Sequence, residues 1–168
     1  KLRYPDVAYM VIHGEMPDED RAEAFCASLK SQYELPEEMY RLFELMPKTT
    51  SVMDALRSGV SFLAGYEEPD LLTDTSHDAN LQKGVRILAR MPAIVVNAYR
   101  ALNGLPFVRP DPQLGFAENF LYMIRGERPD ADSLDGFDRI LTCYSEHEMA
   151  NSTFTARVIG STLSDIYG

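Results

Sequence analysis

The sequence predicts an all-α protein, and three observations carry the prediction. Apolar residues recur at spacings of three and four along almost the whole chain. That period lays a continuous stripe on one face of a helix. The two-residue alternation of a half-buried strand is rare, and no two runs pair credibly as a hairpin. Glycine, proline and asparagine mostly separate the periodic runs, where helices stop.

The elements follow in order. Val7, Met10 and Val11 make one short helical face, ended by Gly14 and Pro17. Asp18 to Tyr33 is a second helix, with Asp18 able to cap it and Ala22, Phe25, Cys26 and Leu29 as its stripe. Pro36 opens a third near its first position, with Glu37 and Glu38 in the first turn, Met39, Leu42, Phe43 and Met46 inward, and Pro47 as the stop. Ser51 to Tyr66 is a fourth, through Val52, Leu56, Val60 and Leu63, where Gly59 and Ala64 permit close helix approach. Glu67 to Thr75 reads as a polar, acidic loop. Asp78 to Leu102 is one long helix through Leu81, Val85, Leu88, Val95, Tyr99 and Leu102, kinked at Pro92 and ended by Asn103-Gly104. After a proline-rich loop over Leu105 to Pro112 come a helix over Leu114 to Ile124, a stripe of Leu134, Phe137, Leu141 and Tyr144, and a last helix over Phe154 to Ile166. The total is about eight helices with short connectors.

Composition narrows the function. At 168 residues, 45% hydrophobic and 25% charged, the chain suits one soluble domain with a sizeable core. A net charge of -10 argues against nucleic acid or an anionic membrane as partner. No apolar run is long enough to span a bilayer, and residues 1–6 lack the apolar core of a signal peptide. A cytoplasmic protein is expected. Cys26 and Cys143 lack metal spacing and are expected as buried, reduced thiols. The eight methionines, at helical spacing, are expected in the core. The abrupt end at Tyr167-Gly168 suggests part of something longer.

The densest polar chemistry lies in residues 144–158. Tyr144-Ser145-Glu146-His147-Glu148 is followed by Asn151-Ser152-Thr153-Phe154 and then Arg157. A histidine, two acids, an amide, hydroxyls and an arginine meet at the junction of two apolar helical patterns. Such a junction can hold a small polyanionic ligand.

The residues resemble the citrate synthase family, and within it the 2-methylcitrate synthase type. Ala8-Tyr9-Met10-Val11-Ile12-His13-Gly14-Glu15-Met16-Pro17 is similar to the family's "AYLLLHGELP". Met53 to Ser61 is similar to "MDVLRTGVS", and Ile87 to Pro92 with Tyr99-Arg100 and Gly104 to its long helix and exit. Asn119 to Met123 is similar to "NFLYML", and 144–154 to "(Y)xEHExNASTF". The resemblance runs almost end to end.

It implies a citrate-synthase-like large helical domain, a homodimer, and an acyltransferase condensing an acyl-CoA with oxaloacetate. Propionyl-CoA is expected, giving 2-methylcitrate, because Tyr144 to His147 and Phe154 to Ile159 resemble that branch more than the "HADHE" type; acetyl-CoA and citrate are the alternative. No cofactor or metal is implied, since acyl-CoA is a substrate. The family's "HGGAN" and "GxGH" segments and its catalytic aspartate have no counterpart in residues 1–168. The chain is therefore expected to be the front part of the large domain and to hold no catalytic residue itself. A truncated, non-catalytic helical dimerisation module and a generic helical binding domain are the competing readings.

The family histidine matching His147 donates a hydrogen bond to oxaloacetate, with Glu146 or Glu148 able to orient the ring. A helix-end tie to backbone carbonyls is the plain alternative. Asn151 is either a second substrate contact or an N-cap for a helix beginning near Thr153. Arg157 matches a family arginine and suits carboxylate contact, or it pairs with Glu148 or Asp165. His13 is expected to close a helix end, His77 to be a solvated cap, and Arg57 to pair with an acid.

Overall fold

The computed structural model describes residues 2–145 and 150–167. Among them are nine α-helices and no strand. The helices are α1 Tyr4–His13, α2 Glu19–Lys30, α3 Glu37–Leu45, α4 Val52–Leu63, α5 Pro69–Thr73, α6 His77–Leu102, α7 Phe116–Arg125, α8 Ala131–Tyr144 and α9 Asn151–Gly160.

Local chemistry sets most boundaries. Gly14 ends α1 at φ 80°, its N–H donating to the Met10 carbonyl at 2.8 Å. Glycine carries that left-handed turn without a Cβ penalty. Asp18 caps α2 by accepting from the Arg21 N–H at 2.9 Å, and Ser51 caps α4 by accepting from the Asp54 N–H at 3.0 Å. Beyond Leu63 the chain tightens into a 3₁₀ turn, Ala64–Tyr66. The segment expected as an acidic loop contains α5, started by Pro69, whose fixed φ suits a first helical position.

The long helix α6 is the hub, packing against α2, α3, α4 and α7. It continues through Pro92, which is buried. Its most buried face differs from the predicted stripe. Ala89, Ala93, Ile94, Val96, Ala98 and Ala101 are buried, whereas Tyr99 is half exposed. Small side chains let neighbouring helices come close. Gly59 of α4 shows how close, since a Cβ there would lie 2.9 Å from Cγ2 of Ile94.

Two apolar clusters flank α6. One joins Met39, Phe43, Leu63, Ile94 and Met123 and includes Tyr167; the other joins Ala8, Phe25, Leu29, Tyr33, Ala89 and Phe116. Several expected core residues lie outside both. Met16 and Met53 are exposed, as is Tyr144 at the end of α8. Both cysteines are free, but Cys26 is only half-buried and Cys143 is exposed. Their helical spacing placed them correctly on helices but not on the inward faces. Among the described residues no helix is long and apolar enough to cross a membrane.

The loop from 103 to 115 owes its shape to side chains. The fully buried Asn97 amide donates to the Val108 carbonyl at 3.1 Å, and its oxygen accepts from the Val108 N–H at 3.0 Å. Asn119 clasps Asp111 in the same way, both bonds at 3.0 Å. Arg100 donates to the carbonyls of Pro106, Met123 and Ile124, closing the end of α7.

Candidate substrate-binding segment

The polar segment singled out by sequence spans the junction of α8 and α9. Ser145 ends α8, its hydroxyl donating to the Leu141 carbonyl at 2.9 Å. His147, with Glu146 and Glu148, lies outside the described residues. Ala150 occupies the N-cap of α9, its carbonyl accepting from the Phe154 N–H at 3.0 Å.

That register corrects one expectation. Asn151 is the first helical residue and not the cap, and among the described residues no side chain caps α9. The helix also begins and ends earlier than the apolar pattern indicated. Its side chain is exposed, and its carbonyl accepts from the Thr155 hydroxyl at 2.8 Å. Arg157 is exposed and forms no ion pair with a described residue, Asp165 included; Asp165 instead accepts from the Tyr167 N–H at 2.7 Å. Six positions apart on one helix, Asn151 and Arg157 point about 120° from each other around its axis. Both lie on α9, exposed and close in sequence to His147, and neither side chain is bonded to another described residue.

The other residues noted from sequence take structural places. His13 closes α1 and stacks on Tyr9, with ring centroids 4.1 Å apart. Arg57 pairs with Asp54 at 3.1 Å. His77 is exposed but follows the cap, which is Ser76, accepting from the Ala79 N–H at 3.3 Å.

One cluster escaped the sequence reading. Glu67, assigned to a solvated loop, has a side chain with 0% exposure. One carboxylate oxygen accepts from Arg86. The other accepts from the Tyr167 hydroxyl at 2.6 Å and lies 3.8 Å from an Arg90 nitrogen. Burial, and then the bond to Glu67, pushes the Tyr167 phenol above its ordinary range, so it remains a donor at neutral pH. Arg86 and Arg90, one helical turn apart on α6, were the visible hint; their shared acid precedes them by about five turns' worth of chain.

Among the described residues, clefts open on the surface. One of about 780 Å³ runs along α4 to Ile166 and Tyr167; one of about 600 Å³ is lined by His13, Gln32, Gln82, Arg86 and Arg90; one of about 470 Å³ lies among α1, α2, α7 and α8. Neither Asn151 nor Arg157 lines any of them.

The family model described as "Citrate synthase, C-terminal domain" matches residues 1–168. The chain belongs to the citrate synthase family. Among its relatives, a citrate synthase of Heyndrickxia coagulans is 43% identical over 165 residues, covering 98% of this chain and 44% of that protein. A citrate/2-methylcitrate synthase of Bacillus subtilis is 41% identical with the same coverage. A 2-methylcitrate synthase of Mycobacterium tuberculosis is 35% identical over 167 residues, covering 99% of this chain and 42% of that protein. The citrate synthase of Pyrobaculum aerophilum superposes with a TM-score of 0.89 at 31% identity, covering 98% of this chain and 43% of that one. The Thermoplasma acidophilum citrate synthase, in ternary complex with carboxymethyl coenzyme A and oxaloacetate, also scores 0.89, at 25% identity, with 99% and 43% covered. The chain thus spans less than half the length of the citrate synthases it matches.

Proposed function

We propose that this chain is the front part of the large domain of an acyl-CoA:oxaloacetate condensing enzyme, and that it supplies oxaloacetate contacts. The observation that carries the reading is likeness over nearly its full length to the ternary complex that holds oxaloacetate. Propionyl-CoA is the proposed acyl donor, with acetyl-CoA as the second, because named relatives include both citrate and 2-methylcitrate synthases. The two donors differ by one methylene, worth only about 1–3 kcal/mol to a pocket.

In the condensation, a base removes a proton from the thioester α-carbon. The resulting enolate attacks the ketone carbon of oxaloacetate, and water then releases CoA from the new thioester. The base and the enolate-stabilising groups lie outside residues 1–168 in this proposal. The part of His147 is to donate an N–H to oxaloacetate, polarising its ketone as negative charge develops. Arg157, without an ion-pair partner among the described residues, is available to a carboxylate. The first turn of α9, without a capping side chain among the described residues, adds N–H groups and the positive end of a helix dipole.

The test is His147→Ala in the longer enzyme that contains this chain. Loss of one hydrogen bond to a charged ligand costs about 1.5–3 kcal/mol, so the KM for oxaloacetate should rise roughly ten- to a hundredfold. The KM for acyl-CoA should hardly move. Unchanged oxaloacetate affinity with a lowered melting temperature would make His147 a helix-end tie instead. The 168-residue chain alone should release no CoA from propionyl-CoA plus oxaloacetate; release above a protein-free control would place the base within it. A homodimer is part of the proposal, with exposed apolar residues such as Met53 and Ile124 among those available for contact. Sedimentation showing only monomer at micromolar concentration would refute it.

A further inference from the structure

We draw no further inference here: the strongest candidate, the cleft lined by His13, Gln32, Gln82, Arg86 and Arg90, carries nothing because both arginines already face the buried Glu67 carboxylate and nothing in the structure shows what covers that face.

Discussion

Asn97 gives the sharpest test of how the loop beside α6 is held. Its amide has 0% exposure and supplies both partners of the Val108 peptide, at 3.0 and 3.1 Å, besides donating to the Ala93 carbonyl at 3.0 Å. Asn97→Ala strips Val108 of donor and acceptor together. A buried polar group left without a partner costs about 1–3 kcal/mol. Val108 is only half-buried, so water relieves part of that. The void left by the lost amide adds to it, and the expected destabilisation is about 2–4 kcal/mol. Urea unfolding followed by circular dichroism should show the midpoint falling by about 1 M, at a slope of about 2–3 kcal/mol/M that the substitution leaves unchanged. Asn103→Ala is the control. It removes a similar amide, one that donates to the Tyr99 carbonyl at 2.8 Å, from an exposed position, and should cost no more than about 0.5 kcal/mol. If Asn97→Ala were equally mild, the claim that side-chain amides shape this loop would be wrong.

Asp130 caps α8, accepting from the Ser133 N–H at 2.8 Å; that bond, then the Ser133 hydroxyl, holds its carboxyl at about 2. A folded value below the unfolded one means the cap stabilises above roughly pH 4 and is lost as pH falls towards 2. Asp130→Ala should therefore lower the melting temperature at neutral pH and converge with wild type near pH 2; a difference independent of pH would refute the assignment. At Gly59 the new methyl of Gly59→Ala would press on Ile94 at 2.9 Å and on the Phe43 ring at 3.4 Å. Overpacking of about 1–3 kcal/mol should outweigh the gain in helix propensity of up to about 1 kcal/mol, and Ile94→Ala, which removes that Cγ2 methyl, should cost less in the Gly59→Ala background than in wild type in a double-mutant cycle by denaturation.

Local chemistry was legible where one residue and its near neighbours decide the outcome. Asp18, Ser51 and Gly14 sit where their side chains, or lack of one, require. The pattern failed where small residues matter. Ala93, Ala98 and Ala101 add little to an apolar stripe, yet they form the buried face of α6 because neighbours can approach them closely. Tyr99, heavy in the stripe, is left half exposed. Glu67 failed for another reason. Beside Pro69 and Asp70 it reads as solvated, and nothing local reveals that Arg86, Arg90 and Tyr167 converge on it. In the candidate segment the motif was legible as a sequence, and the geometry of Asn151 was not. The helix starts one residue after Ala150, and an asparagine at that point resembles a cap.

The two thiols differ in a way that has practical use. Burial raises the pKa of Cys26, while Cys143 is exposed on the last turn of α8, four positions before His147. A thiol reacts with such reagents as its thiolate and only where they can reach it, so a maleimide or nitroxide label should enter at Cys143 first. The chain thus carries a native attachment point beside its candidate ligand segment and away from its packed interior. A probe placed there would test the proposed binding of a dicarboxylate spectroscopically, with no engineered residue and no dependence on turnover.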